Sequence, residues 1–304
     1  MNILITGGFG HIGSYLLNSI NKVKKIKNVY VIDNNSNNRI NTLFKYNKKK
    51  IKLILDNLLN KNVFKKINHK IDIIIHLASI TNAEESLSKK REVFKNNFDS
   101  FVNIIKYAKK NKSKLIHISS TSVYGSQKKI VDENCKDLIP QSPYAHVKIL
   151  EENYISKKKI SYITLRFGTI VGYSMGMRFH TAVNKFCFET IKKKPITVWK
   201  TAINQYRPYL SIRDSFKIIK FIIENNYFDN KIHNIYSNNY TVRDIINFIK
   251  KNSKNVRIKY TYSKIMNQLS YKLTTSTGLR DKARLGKEIK LEIKNIFSAF
   301  KNIN

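Results

Sequence analysis

The sequence predicts an α/β protein, a doubly wound parallel sheet carrying a smaller second α/β unit, and three observations predict it. Short β-branched apolar runs alternate with longer amphipathic segments through the first half of the chain. Several runs, such as Ile73-Ile74-Ile75, are apolar without alternation, as strands covered on both faces are. The first run leads straight into glycines and then into a helical pattern. With 304 residues, 42% of them hydrophobic and 16 Phe and 17 Tyr among them, the chain can bury a real core, which excludes a disordered basic tail.

Taken in order, strands are expected at residues 2–6, 29–33, 52–55, 71–77, 114–119 and 161–167, where apolar and β-branched residues cluster between polar stretches. Helices are expected between them at 12–21, 60–67, 94–110 and 143–157, from apolar residues recurring at helical spacing. Beyond residue 168 the pattern loosens. Helices are expected at 177–193, 212–224, 241–250 and 291–301, and shorter strands at 197–199, 206–211, 233–236 and 257–260. No internal repeat or low-complexity linker separates the halves, and there are four Pro in all. The expected division is residues 1–168 and 169–304, with some late segments packing back on the first sheet.

The opening, Ile3-Leu4-Ile5-Thr6-Gly7-Gly8-Phe9-Gly10-His11-Ile12-Gly13, is a strand, a glycine turn and a helix start. Gly7, Gly10 and Gly13, three apart, suit a tight turn, close approach to a pyrophosphate, and helix packed on strand. The free N–H groups of the helix start face the phosphates. Asp33 follows Gly13 by 20 residues, at the end of the second strand. A carboxylate there accepts from the adenosine ribose hydroxyls and repels a 2′-phosphate, so NAD is expected rather than NADP, on a Rossmann-type sheet. Asp56, after the third strand, suits either the adenine rim or a helix cap.

The fifth strand ends in Ser119-Ser120-Thr121-Ser122-Val123-Tyr124-Gly125, and Tyr144-Ala145-His146-Val147-Lys148 begins 20 residues after Tyr124. Tyr144 and Lys148, four apart, share a helix face. A phenol of ordinary pKa about 10 serves as a base near neutral pH only if its phenolate is stabilised, which a neighbouring ammonium does. Ser120 is placed to hydrogen-bond the same substrate hydroxyl.

Together with His76-Leu77-Ala78, Asn96-Asn97, Leu165-Arg166-Phe167-Gly168-Thr169 and Arg207-Pro208-Tyr209-Leu210-Ser211-Ile212-Arg213-Asp214, these motifs resemble the extended short-chain dehydrogenase/reductase family over nearly the whole chain. The likeness is to its NAD-dependent nucleotide-sugar epimerase/dehydratase branch, which implies a Rossmann-type NAD-binding domain and a smaller α/β substrate-binding domain. The resemblance implies that Phe9, Gly10, His11 and Ile12 wrap the pyrophosphate, Asp33 and Asn34 hold the adenosine ribose, and Asp56 and Asn57 the adenine. It puts Leu77, Ala78, Ser79 and Asn97 along the middle of the cofactor. Tyr144 is implied as the base, Lys148 as the nicotinamide-ribose ligand that lowers its pKa, and Ser120 as the holder of the sugar hydroxyl. Arg207 matches the arginine on the substrate diphosphate, a role suited to a guanidinium fork. Asn184 is a further candidate for that diphosphate or a helix-surface residue.

Departures bear on the reaction. Where the branch's dehydratases and decarboxylases carry acidic residues after the Ser120 position, this chain has Thr121 and Ser122, which favours epimerisation. The asparagine often found three residues after the Arg166 position is Thr169, a candidate substrate contact, and no second diphosphate arginine is found at 266–271. The expected activity is therefore an NAD-dependent nucleotide-sugar epimerase, with C4 the expected centre. The alternatives are a dehydrogenase or keto-reductase acting on a nucleotide-linked sugar or heptose, and a non-catalytic RNA-binding or regulatory relative.

The net charge of +37, from 57 Lys+Arg against 20 Asp+Glu, invites nucleic acid as partner. The lysines are scattered in short clusters, however, and Lys, Asn and Ile are all abundant and all have AT-rich codons, so compositional drift accounts for the excess. Cys135 and Cys187 have neither metal nor disulfide spacing. With no signal-peptide pattern and no long apolar span, a cytoplasmic protein without a membrane partner is expected. The resemblance implies a homodimer through paired helices, for which Phe98, Phe101, Val102 and Ile105 are candidate members.

Overall fold

Seven strands, β1 (Asn2–Thr6), β2 (Asn28–Asp33), β3 (Ile51–Leu55), β4 (Ile73–His76), β5 (Lys114–Ser120), β6 (Tyr162–Phe167) and β10 (Ile232–Ile235), form one parallel sheet in the order β10-β6-β5-β4-β1-β2-β3. The computed structural model describes residues 1–39, 50–82, 85–254, 256–262, 270–286 and 288–301. The strand order reverses at β1, which lies between β2 and β4, so a crevice opens where their C-terminal ends diverge.

Both faces of the sheet are covered, as the unalternating runs require. Ile3 and Ile5 pack on one side with Leu16 and Leu17 of α1 (His11–Ser19). Leu4 packs on the other with Phe101, Ile104 and Ile105. The second core gathers residues from α5 (Ala182–Ile191), α7 (Val242–Lys250) and α9 (Ile289–Ala299). Beside it lie a three-stranded sheet, β11-β9-β7, and a two-stranded one, β12-β8. Their strands are β7 (Thr169–Val171), β8 (Ile196–Trp199), β9 (Tyr206–Ser211), β11 (Asn238–Thr241) and β12 (Ile258–Thr261).

The expected strands form within a residue or two of their predicted ends, and several helices differ for identifiable reasons. The segment at 60–67 makes only a six-residue 3₁₀ helix, Lys61–Lys66, capped by the Asn60 side chain. The segment at 94–110 is not continuous: α2 (Lys90–Phe94) passes through a π turn, Lys95–Asp99, into α3 (Ser100–Asn111). The segment at 177–193 is helical only from Ala182, and Thr241 is the N-cap of α7, locked in a capping box with Asp244. Strands β7 and β11 were not anticipated. Phe101 and Ile105 are buried within the fold of their own chain and so drop out of the expected dimer face, whereas Phe98 and Val102 are half-buried.

Candidate active site

The chain leaves β1 at Thr6 and turns at Gly7, whose φ of +72° is a left-handed conformation open to glycine. A Cβ there would stand 2.6 Å from the Ala78 nitrogen, and one at Gly13 only 2.3 Å from the Gly7 carbonyl oxygen. Gly10 meets nothing closer than 3.3 Å and is the N-cap of α1 without a side-chain cap. The turn packs tightly on its protein side, with the Gly7, Phe9 and Gly10 N–H groups bonded to the Ile32 carbonyl, Asp33 and the Gly7 carbonyl. This leaves the first-turn N–H groups of α1 as the donors that suit a pyrophosphate.

Asp33 ends β2 beside this turn. Its Oδ2 accepts the Phe9 N–H at 2.9 Å and its Oδ1 the Asn35 N–H at 2.8 Å. Burial raises its pKa against the pull of these bonds and of Arg39. Asn34 and Asn57 close short turns onto the Ser36 and Leu59 N–H groups at 3.1 and 2.9 Å. Asp56 is held by the Lys66 ammonium at 2.7 Å and the Asn57 N–H at 2.7 Å, and these bonds lower its pKa. Across the crevice, the Leu77 and Ala78 N–H groups each lie 3.3 Å from Thr6 Oγ1. Asn97, brought in by the π turn, brackets Ile80, accepting its N–H at 2.8 Å and donating to its carbonyl at 3.0 Å. Ser79 donates weakly to the same carbonyl at 3.5 Å.

A loop from the second half, residues 172–178, lies over the glycine turn. His11 Nε2 meets the Gly172 carbonyl at 2.7 Å, Ser174 Oγ donates to the His11 carbonyl at 2.9 Å, and the Gly176 N–H donates to Ser14 Oγ at 2.9 Å. A Cβ on Gly176 would stand 2.3 Å from the Phe9 carbonyl oxygen, so the loop and the turn are in backbone contact. Burial, reinforced by Arg178, brings the His11 pKa down to about 3 and keeps the ring neutral. Ile12 is half-buried beside it.

Ser120 stands at the C-terminal end of β5, and Tyr144 and Lys148 lie on the helix that follows. Helix α4 (Pro143–Ser156) starts at a fixed point, because Ser142 caps it by accepting the Ala145 N–H at 3.3 Å and Pro143 sits in its first turn. Tyr144 is half-buried, and Lys148, 2% exposed, has its Nζ 5.8 Å from the Tyr144 ring centroid. Ser120 ends β5 with its Oγ 2.9 Å from Ser122 Oγ. Thr121 is turned away from this pair, its Oγ1 3.0 Å from the Tyr271 hydroxyl.

Three further residues enter this site that the motifs did not single out. Glu151 Oε2 accepts from Lys148 Nζ at 2.7 Å and lies 2.9 Å from His117 Nε2. His117 Nδ1 lies 3.2 Å from Thr164 Oγ1, so the ring spans β5 to β6. Burial opposes the charges of Lys148 and Glu151, and their mutual attraction overcomes it, raising the lysine pKa and lowering the glutamate pKa. Arg178 is the third: burial lowers its pKa to about 10, with Tyr144 as its favourable electrostatic neighbour. The only trace of the first in the sequence is an acid three residues after Lys148, a spacing that ordinarily marks a surface ion pair and so does not single out Glu151.

Two of the expected substrate contacts, Arg207 and Thr169, lie on the paired strands β9 and β7. Arg207, on β9, interacts electrostatically with the buried Tyr209 and Tyr271. Thr169 opens β7 opposite Tyr209. Asn184 is fully buried and its amide serves the overlying loop, donating to the Arg178 carbonyl at 3.1 Å and accepting the Gly172 N–H at 3.4 Å. Of the stretch 266–271, residues 266–269 lie outside the described residues. Cys135 and Cys187 are both free thiols, and among the described residues no cluster of three or more His, Cys, Asp or Glu could hold a metal.

Residues 3–235 match the model of the NAD dependent epimerase/dehydratase family. The chain is 30% identical over 259 residues to a dTDP-D-glucose 4,6-dehydratase of Dictyostelium discoideum, covering 77% of this chain and 57% of the relative. It is 30% identical over 169 residues to a UDP-glucose 4-epimerase of Yersinia enterocolitica, covering 53% of this chain and 50% of the relative. The chain therefore spans little more than half the length of these relatives. A crystal structure of UDP-glucose 4-epimerase with UDP-glucose from Thermotoga maritima superposes with a TM-score of 0.88 at 19% identity, covering 100% of this chain and 99% of the other.

Proposed function

Because the chain belongs to the NAD dependent epimerase/dehydratase family, we propose that it is an NAD-dependent nucleotide-sugar epimerase acting at C4. Two observations support the reading: the buried Lys148 ammonium lies 5.8 Å from the Tyr144 ring centroid, and the Ser120/Ser122 hydroxyl pair stands at the C-terminal end of β5. Thr121 and Ser122 take the places after Ser120, and neither hydroxyl ionises near neutral pH, which favours epimerisation over dehydration. The non-catalytic alternative would be expected to lack part of this constellation, and every member is present.

The cradle at Gly7, Gly10 and Gly13, with Asp33 beside it, fits an adenine dinucleotide lacking a 2′-phosphate. Bound there, NAD supplies reversible hydride chemistry at the sugar carbon. The chain's own residues do the rest. Ser120 fixes the reacting hydroxyl, Tyr144 takes its proton, and the buried Lys148 ammonium stabilises the phenolate. Arg207 holds the diphosphate end, so the sugar is tethered while its carbonyl form presents the opposite face. The proton then returns from Tyr144. Catalysis on this account is mainly positioning plus proton transfer at a phenol held beside an ammonium.

Phe94 and Leu150, 44% and 41% exposed, flank an apolar hollow of about 700 Å³ lined also by Leu87 and Val147. We propose this face of α2 and α4, with Phe98 beside it, as the contact between two copies of the chain. Among the described residues no helix is long and apolar enough to cross a membrane.

The test is incubation of the purified protein with UDP-, dTDP-, GDP- and CDP-sugars, with products read by NMR and cofactor by absorbance. An epimer formed without net cofactor reduction supports the reading. Stoichiometric reduction of added NAD would replace it with a net dehydrogenase.

A further inference from the structure

We propose that Glu151 is a positioning residue for proton transfer at Tyr144: its carboxylate, braced by His117, keeps the Lys148 ammonium charged and fixed behind the Tyr144 ring. The proposal rests on the reading of Tyr144 and Lys148 above, and it adds a group that touches neither the sugar nor the cofactor.

Lys148 is 2% exposed and Glu151 fully buried, so water does not solvate the ammonium. A buried ammonium without a counter-charge sheds its proton, and a neutral amine cannot stabilise a phenolate. The groups around Lys148 leave the counter-charge to one residue. On α4 it faces Tyr144, Glu151 and Glu152, but Glu152 is occupied by the Arg166 guanidinium from β6 at 2.9 and 2.7 Å. From β4 and β5 come His76 and His117, and burial lowers the pKa of both, so they bring no useful charge of either sign. From the overlying loop comes Arg178, a second cation beside Tyr144. Glu151 Oε2 alone hydrogen-bonds Lys148 Nζ among the described residues, at 2.7 Å.

His117 fixes the carboxylate in turn. With Nδ1 facing the Thr164 hydroxyl, its Nε2–H donates to the same Oε2, at 2.9 Å, while Oε1 makes no hydrogen bond among the described residues. Lys148 has three N–H donors, of which one is spent on Glu151. The other two remain for Tyr144 and a bound ribose.

The sign of the effect separates this role from a bystander charge. If Glu151 only adds negative charge, removing it makes the Tyr144 phenolate easier to form. If Glu151 keeps Lys148 charged, removing it makes the phenolate harder to form. The experiment titrates the full chain saturated with NAD, without sugar. Phenolate absorbance of Tyr144 is taken as the difference between each protein and the same protein carrying Tyr144→Phe. Glu151→Gln is expected to move the midpoint up by about one unit or more, and Glu151→Asp, which keeps the charge, to return most of that shift. A midpoint unmoved or moved down in Glu151→Gln overturns the proposal. Should Glu151→Gln fail to fold by circular dichroism, His117→Asn carries the test, with a smaller upward move expected and no move overturning it. Since no sugar is present, failure of the epimerase reading leaves this readout intact. Conversely, loss of turnover in Tyr144→Phe with an unmoved Glu151→Gln midpoint sinks this proposal alone.

Discussion

The Phe9 backbone N–H donates to Asp33 Oδ2 at 2.9 Å, tying the glycine turn to the end of the neighbouring strand. The carboxylate that would face a ribose is thus also the brace of the phosphate cradle. Asp33→Asn keeps the size, removes the charge and weakens both N–H bonds. Each charge-assisted bond is worth about 1.5–3 kcal/mol, so NAD affinity should fall roughly tenfold to a hundredfold by calorimetry. The preference for NAD over NADP should narrow as well, because the repulsive carboxylate is gone and Arg39 is nearby.

Gly13→Ala places a methyl group 2.3 Å from the Gly7 carbonyl oxygen, with backbone rather than a flexible side chain in the way. Overpacking of this kind costs about 1–3 kcal/mol. The melting temperature should drop by roughly 2–4 °C for each kcal/mol, and NAD should no longer raise it.

Arg166 and Glu152 form a buried two-pronged pair, at 2.9 and 2.7 Å, that also holds Tyr124 and Ser119. Glu152→Gln leaves the guanidinium buried without its counter-charge and should destabilise the fold by about 3–5 kcal/mol in urea titrations. Breaking the surface pair Lys185 and Glu189, at 3.8 Å, should cost no more than about 0.5 kcal/mol.

His11 and His76 are buried with pKa values near 3, desolvation being the main cause in each, and burial lowers His117 too. A histidine with a depressed folded pKa contributes its stability above the unfolded value of about 6.5, and that stability is lost as pH falls. Stability should therefore decline from about pH 6.5 towards pH 4, by up to roughly 1.4 kcal/mol per pH unit for each histidine involved, and the melting temperature with it. Replacing His76 by Asn should flatten the slope; an unchanged slope would contradict the assignment for that residue.

The central sheet was legible in the sequence because its strands are buried on both faces and read as unbroken apolar runs, as Ile73-Ile74-Ile75 does. Strands β7 and β11 were not. The first has three residues, and the second reads Asn238-Asn239-Tyr240-Thr241, a polar strand held by pairing with β9 rather than by its own hydrophobicity. Phe101 and Ile105 showed an apolar helix face, but not whether that face met its own sheet or another chain. The glycine turn, Asp33, Ser120, Tyr144 and Lys148 were readable because backbone geometry and proton chemistry demand those residue types at those spacings. Glu151 and His117 were not, since their contact joins a helix to a strand 34 positions away and an acid three residues after a lysine is ordinarily a surface pair.

The most direct measurement is NMR of the nucleotide-sugar panel with the wild-type protein and Tyr144→Phe in parallel. The account predicts that the wild type converts one nucleotide sugar to a mixture with its C4 epimer, with no net reduction of NAD, and that Tyr144→Phe loses at least about a hundredfold of that rate. A dehydrated keto-deoxy product, or equal rates for the two proteins, would contradict it.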